Sequence, residues 1–202
     1  MRRMTFDLIA SAVGLLLAVL LLVAGGLLFW AYSFVNTQVQ QQLTAQQIVF
    51  PEANSAALKA LPAADAAAMS AYAGQLMTTG AQAKTYADHF IAVHLKEAGG
   101  GQTYAQLSTK AQADPTNTAL AGQVATMFKG ETLRGLLLNA YAFGTMGTIA
   151  GIAAIFAFIA AGLMFVLSAL GLWHSGKAKE GESVVALPKD AGTGNREPVT
   201  VA

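Results

Sequence analysis

The stretch LIASAVGLLLAVLLLVAGGLLFWAYSFV, residues 8–35, contains no charged side chain. A helix needs about 20 apolar residues to cross the hydrocarbon core of a bilayer, so this run is long enough to span one. Trp30 and Tyr32 lie near its far end, where aromatic rings favour the headgroup layer. We therefore predict a transmembrane helix over residues 8–35, preceded by a cytoplasmic segment, residues 1–7.

A cleaved signal peptide is the alternative interpretation of this run. The apolar core of a signal peptide has about 7–15 residues and leads to a cleavage site of small residues. The run here is much longer, and the sequence FWAYSFVNT, residues 29–37, is a poor cleavage site. The pattern therefore favours an anchor that stays attached.

A second run without charged residues extends over residues 135–173. As one helix it would be about 60 Å long, roughly twice the thickness of the hydrocarbon core. Part of it must therefore lie outside the bilayer, or the helix is tilted or bent. We place the second transmembrane helix at about residues 143–173, with a juxtamembrane helix before it.

The basic residues near the two runs predict the orientation of the chain. Four lie near one end of the runs and two near the other: Arg2, Arg3, Lys177 and Lys179 against Lys129 and Arg134. Because basic residues are enriched on the cytoplasmic side, both termini are expected in the cytoplasm and residues 36–134 outside the plasma membrane. The tail, residues 174–202, has no apolar period and is expected to be disordered.

Composition limits the class of protein. Hydrophobic residues make up 54% of the 202 residues and charged residues only 11%, whereas a soluble domain carries about a quarter charged residues. The net charge of +1 gives no reason to expect a nucleic-acid partner. The absence of cysteine excludes disulfides, thiolate metal sites and thiol nucleophiles. The first partner that the composition predicts is the lipid bilayer.

Residues 36–134 are rich in alanine and glutamine and lack the alternation that is typical of strands. A helix is expected between Pro62 and Gly80, because proline favours helix starts and glycine helix ends. A second helix, residues 81–98, should end at the glycine run 99–101. We predict an all-α fold in which two transmembrane helices flank a small antiparallel helical extracytoplasmic domain.

Two more helices complete the predicted domain. Thr103 is a suitable N-cap for a short helix. The final helix should begin near Thr116 or Asn117, because apolar residues recur at helical spacing beyond that point. It can run into the second span, with Gly130 as a bend.

Small residues follow one face of each predicted span: Ala10, Gly14 and Ala18 on the first, and Gly147, Gly151 and Ala154 on the second. Such strips allow helix backbones to approach closely in lipid. Either the two spans pack on each other within one chain, or the strips form the interface of a homo-oligomer or of a larger complex.

Two histidines lie in the predicted helix 81–98, and they are five residues apart. On a regular α-helix, His89 and His94 would point about 140° away from each other, whereas two metal ligands on one helix should be three or four residues apart. We therefore expect no metal or other cofactor there. His94 falls in the apolar arc of the helix, where a hydrogen bond to Glu97 or to a backbone carbonyl would satisfy it. A ligand or partner contact is the alternative for His94 and Glu97, and His89 is expected on the surface.

Two charged pairs have helical spacing. Lys84 and Asp88 are four residues apart, which suits a surface ion pair. Glu131 and Arg134 are three residues apart just before the second span. They are expected either to pair with each other or to contact a partner or a lipid headgroup.

Four stretches together resemble a group of small two-span membrane proteins of actinobacteria: GLLFWAYSFVNTQVQQQLTAQQIVFP (26–51), AKTYADHFIAVHL (83–95), GGGQTYAQLS (99–108) and FKGETLRGLLLNAYAF (128–143). The resemblance implies a location in the cell envelope. Some similar sequences are labelled as aromatic ring-opening dioxygenases. Extradiol ring opening needs an iron site of two histidines and a carboxylate. The diverging His89 and His94, with His174 expected across the membrane, do not fit such a site.

Three classes of function remain. The first is a non-enzymatic membrane protein that presents its helical domain as an accessory or scaffold subunit to other membrane proteins or to itself. The second is an extracytoplasmic ligand-binding or sensor module, and the third, least favoured, is a metal-dependent enzyme. Neither apolar run contains an acid, lysine or arginine of the kind that marks transport pathways, so a transporter is not expected.

Overall fold

The computed structural model describes residues 3–177, and within this range every regular element is helical. The first and last helices are the longest: α1 covers Arg3–Ala45 and α7 covers Thr118–Ser175, 43 and 58 residues. Arg2, Lys179 and residues 178–202 of the tail lie outside this range, so the predictions made for them stay predictions. The prediction of a helical chain with two long apolar helices is confirmed.

Both long helices are long and apolar enough to cross a membrane. Their large apolar side chains are exposed rather than packed, as Leu16 with 63% and Phe156 with 67% of the side-chain surface accessible illustrate. The core helix of a soluble protein would bury such residues, because each square ångström of apolar surface left in water costs about 25 cal/mol. Lipid is the surrounding that suits these two helices.

Five short helices connect α1 to α7: α2 (Ala56–Lys59), α3 (Ala63–Ser70), α4 (Gly80–Tyr86), α5 (Ala92–Ala98) and α6 (Tyr104–Ala113). A π-helical turn, Ala87–Ile91, joins α4 to α5 without interruption. Residues 46–117 link the two long helices, and we call this segment the head.

The expected helix between Pro62 and Gly80 is shorter than its alanine content suggests. It ends at Ser70, after which the chain pairs with residues near Phe50. The amide of Phe50 donates to the carbonyl of Gln75 at 2.9 Å, and the amide of Met77 donates to that of Ile48 at 2.8 Å. These long-range hydrogen bonds replace helical ones, so tertiary pairing overrides local helix propensity here.

Four helix starts in the head are capped by local side chains, the first by Ser55, whose hydroxyl accepts a hydrogen bond from the amide three residues later at 3.3 Å. Thr79 and Thr103 each form a capping box with a glutamine three residues later. The side chain of Asn117 accepts a hydrogen bond from the amide of Leu120 at 3.0 Å and so caps α7. Each such cap is worth about 1 kcal/mol, which is why the short helices begin where they do.

The core of the head is aromatic and methionine-rich. Its largest fully buried side chains are Phe50, Met69, Met77, Leu107 and Met127. The ring of Phe50 lies 5.3 Å from that of Tyr72 and 5.4 Å from that of Tyr86. Leu43 of α1 and Leu137 of α7 belong to the same cluster, so both long helices contribute to the core.

The chain divides into two compact units. Met1–Ala24 and Phe156–Ala202 form one, and Gly25–Ile155 form the other. In the first, Gly14 lies against the side chain of Ser168. In the second, Gly147 lies against Val35, with 3.3 Å between a Cβ placed on the glycine and a methyl of the valine. Within each unit, α1 and α7 are therefore in direct contact at a glycine.

Candidate functional site

A π-helical turn in the head carries Asp88 and His89, which both form ion pairs or hydrogen bonds with distant residues. The amide of Ala92 bonds to the carbonyl of Ala87, five residues back instead of four. A π-turn inserts one residue into a helix and is often found at functional sites. The prediction for residues 81–98 assumed a regular α-helix. The π-turn rotates the residues that follow it, so their side chains occupy other faces than predicted.

Asp88 on this turn is the centre of an ion-pair cluster. It pairs with Lys84 on α4 and accepts a hydrogen bond from Nη2 of Arg134 on α7 at 3.2 Å. Arg134 also lies 3.7 Å from Glu131, so the expected intrahelical pair is present as the weaker of its two contacts. The cluster connects the π-turn to α7 across 46 residues of sequence.

The electrostatics of this cluster follow from its contacts. Burial alone would raise the pKa of the Asp88 carboxyl, but the hydrogen bonds and charges of Lys84 and Arg134 outweigh burial and hold that pKa below its ordinary value of 3.8. The same hydrogen bond, and then the charge of Asp88, raise the pKa of the Lys84 ammonium above 10.5. Both groups are therefore held in their charged forms.

His89 is partly exposed, with 39% of its side-chain surface accessible, so it lies at the surface of the head. Its Nδ1 lies 2.7 Å from Oδ1 of Asp65 in the first turn of α3. The two residues are 24 positions apart, and no local pattern connects them. Sequence reasoning missed this pair because only the fold of the head brings α3 to the π-turn.

His94 is exposed, whereas the helical wheel placed it in the apolar arc. Its Nδ1 lies 2.7 Å from the backbone carbonyl oxygen of Phe90, and its ring lies 4.4 Å from the Phe90 ring. The hydrogen-bond partner of His94 is therefore a backbone carbonyl of the π-turn and not the side chain of Glu97. Glu97 itself is exposed one turn further on.

The six small residues expected at helix contacts differ in their surroundings. Ala10 is exposed, because the buried face of α1 passes through Ser11 instead. The other five are buried or half-buried: Gly14, Ala18, Gly147, Gly151 and Ala154. A Cβ placed on Gly151 would lie 2.7 Å from the ring of Tyr32 on α1, so this glycine allows the two helices to approach.

A groove of about 500 Å³ lies between α1 and α7. Phe34 and Phe143 line it nearest the centre of the long helices, and Gln46 and Leu133 line it nearest the head. The residues that line the groove are apolar or carry neutral amides. Sequence reasoning did not identify this groove, because it depends on how the two helices separate.

The described residues contain no group of three or more histidine, aspartate and glutamate side chains placed to hold a metal ion. Asp88 and His89 each pair with a side chain of the same protein, Arg134 and Asp65 respectively. The described residues that line the groove include no charged side chain.

The fold and these sites define a class: an all-helical protein with two helices that can cross a membrane and a helical head built on the same two helices. No protein-family model, no curated protein and no solved structure matches the chain.

Proposed function

We propose that the chain is a non-enzymatic plasma-membrane protein that presents its head outside the cytoplasm as an accessory or scaffold subunit of a membrane complex. One observation carries this proposal. The two helices that can cross a membrane continue without a break into the core of the head, where Leu43 and Leu137 are buried. A partner bound to the head is thereby connected to the spans through continuous helix rather than through a segment of irregular structure.

The use of the polar side chains supports a structural role for the head. Asp88, His89 and His94 each bond to another group of the same chain, and these bonds join α3, the π-turn and α7. Groups poised for acid–base chemistry are typically directed into a cavity where a substrate can reach them. Asp88 and His89 instead connect helices, as expected for a display surface, whereas His94 lines a cavity of about 270 Å³ beside Phe90.

The orientation rests on the basic residues that flank the apolar runs. In the sequence, four basic residues lie close to the outer ends of the two apolar runs and two lie close to their inner ends, which supports both termini in the cytoplasm and residues 36–134 outside. A location in the cell envelope also agrees with the resemblance to two-span actinobacterial proteins. Self-association or other membrane subunits are the partners that this role requires.

A cysteine-labelling experiment tests the orientation. Because the natural sequence has no cysteine, only an introduced cysteine can react. Gln112 is exposed on α6. Gln112→Cys should react with a membrane-impermeant maleimide on intact spheroplasts, whereas Ser183→Cys in the tail should react only after lysis. The reverse pattern would place the head in the cytoplasm.

Co-purification tests the accessory role. After extraction in a mild detergent, the full-length protein should retain a membrane-protein partner, or further copies of itself, in fixed proportion. The exposed residues His94 and Glu97 are the expected contact, so His94→Ala combined with Glu97→Lys should reduce retention. Gln112→Lys, an exposed change on another helix, is the matched control. A wild-type protein that elutes alone at the mass of one chain would contradict the role.

A ligand-binding module is the second candidate, and the groove between α1 and α7 is the observation that favours it. Its volume of about 500 Å³ lies within the range of small-molecule sites. A ligand that binds only the folded protein raises its unfolding temperature. An apolar compound that stabilises the wild-type protein, but not a variant with a filled groove, would support this function.

A further inference from the structure

The lining of the groove limits what can occupy it. Ten of its side chains are apolar, and the other four are the amides of Gln38, Gln42, Gln46 and Asn139. An occupant must therefore be largely apolar. It can receive hydrogen bonds from neutral amides, but no lining group can form an ion pair with it.

The groove is open to its surroundings on a side formed by large apolar residues. Leu136 is 61% exposed and Phe143 is 57% exposed. Contiguous exposed apolar surface of this kind marks a site that something apolar covers, since water is a poor neighbour for it. The same two residues belong to the charge-free run of α7, so the groove is continuous with the surface that suits lipid.

The length of the groove matches that of one extended acyl chain, and most of its lining residues lie just outside the spans predicted at residues 8–35 and 143–173. On α7 it extends from Leu133 to Phe143, which is about 15 Å at 1.5 Å per residue. The hydrocarbon core of a bilayer is about 30 Å thick, so one leaflet contributes about 15 Å. An extended acyl chain of a single leaflet therefore fits the groove from end to end.

Three of the amides follow one wall of the groove. Gln38 and Gln42 are four residues apart on one face of α1, and Gln46 comes directly after Ala45, the last residue of that helix. Each amide can both donate and accept a hydrogen bond. The ester and glycerol oxygens of a phospholipid need such donors, and neutral amides do not select for headgroup charge.

We propose that the groove binds one acyl chain of a phospholipid taken from the surrounding bilayer, with the lipid's ester region held by the three glutamines. The lipid then fills the gap between α1 and α7 where the two helices enter the head. Binding depends on the acyl chain and on the amides, so phosphatidylethanolamine and phosphatidylglycerol are retained about equally.

The test uses the full-length protein in vesicles of equal parts phosphatidylethanolamine and phosphatidylglycerol. After extraction in a mild detergent, native mass spectrometry should show one retained phospholipid per chain. Gln42→Trp fills the groove and should lower the retained fraction on the order of fivefold or more, since overfilled sites are unfavourable. Gln41→Trp is the matched control: Gln41 is the exposed neighbour that does not line the groove, and it should retain the lipid.

A second variant covers the case in which Gln42→Trp does not fold. Leu136→Gln makes the exposed apolar wall polar and should also release the lipid, while circular dichroism shows unchanged helix content. Equal retention by Gln42→Trp and Gln41→Trp overturns the proposal. So does a wild-type protein without lipid, a bound free fatty acid in place of a phospholipid, or a dimer whose cross-links lie in the groove.

Discussion

Gly80 lies directly against the backbone of Ala140. A Cβ atom on Gly80 would be 2.9 Å from the carbonyl oxygen of Ala140 and 2.9 Å from the Cα of Tyr141. This contact sets the first turn of α4 on α7. Because backbone atoms cannot move aside as a side chain can, no larger residue fits at position 80 without separating the two helices.

We expect Gly80→Ala to destabilise the protein by about 1–3 kcal/mol, the usual cost of overpacking a close contact. Thermal unfolding followed by circular dichroism in detergent measures the change. Gly122→Ala on α7 is the control, because a Cβ there meets nothing within 4 Å. It should be neutral or stabilising by up to about 1 kcal/mol, as alanine favours helix over glycine. Equal effects of the two changes would show that the contact with Ala140 is not tight.

Asp88→Asn should also destabilise the protein, because Lys84 and Arg134 lose their common negative charge and one of the two oxygens that accept their hydrogen bonds. A hydrogen bond to a charged group is worth about 1.5–3 kcal/mol when buried, and partial exposure of Asp88 reduces this to about 1 kcal/mol. Glu97→Gln, an exposed acid on α5, is the control and should change the unfolding temperature little. An Asp88→Asn protein as stable as wild type would mean that the cluster does not stabilise the head.

The contribution of Asp88 should depend on pH in a defined direction. Its pKa in the folded protein lies below the ordinary value of 3.8, so its stabilisation is fully present above that value and is lost as the pH falls through the folded pKa. The difference in unfolding free energy between wild type and Asp88→Asn should therefore be constant from about pH 7 to about pH 5 and shrink below about pH 4. A difference that already shrinks near pH 6 would show that a group other than Asp88 carries the effect.

The pair of His89 and Asp65 can be measured with a double-mutant cycle. We expect Asp65→Ala and His89→Ala to be coupled by about 0.5–1.5 kcal/mol, the range of a partly buried hydrogen bond. The control cycle combines Asp65→Ala with His94→Ala. Because His94 bonds to Phe90 instead, its coupling to Asp65 should stay below about 0.5 kcal/mol. Coupling of similar size in both cycles would contradict the assignment of partners.

Local signals in the sequence predict much of the fold. The two apolar runs lie on the two long helices, and Thr103 stands as the N-cap of a short helix. Such features depend on residues within a few positions of one another, so they can be recognised without the structure. Regular helix also continues beyond the predicted span, because α1 runs past Val35 to Ala45.

Features that depend on distant residues could not be predicted. The π-turn at Ala87–Ile91 has no sequence signature, and it shifts His94 from the face that a regular helix assigns to it. The pairing of Met77 with Ile48 similarly ends a helix that alanine content favours. The groove between α1 and α7 requires the spacing of two helices that are far apart in the sequence.

The small residues of the two long helices raise the remaining question, which is whether they join the helices of one chain or of two. In the unit that contains Gly14 and Ser168, a Cβ placed on Gly14 lies 3.7 Å from the Cβ of Ser168. Disulfide-bonded cysteines have Cβ atoms about 3.5–4.5 Å apart. A chain with Gly14→Cys and Ser168→Cys therefore has the spacing for an intrachain disulfide.

We expect this double variant, oxidised in membranes, to form a disulfide within one chain. Because the natural sequence has no cysteine, any cross-link must come from the introduced pair. A non-reducing gel should show the mass of one chain, and intact mass spectrometry should show the loss of two hydrogen atoms. Gly14→Cys with Leu163→Cys is the control, since Leu163 is exposed on α7 and should not cross-link within the chain. A covalent dimer from Gly14→Cys and Ser168→Cys would instead show that these strips form an interface between copies.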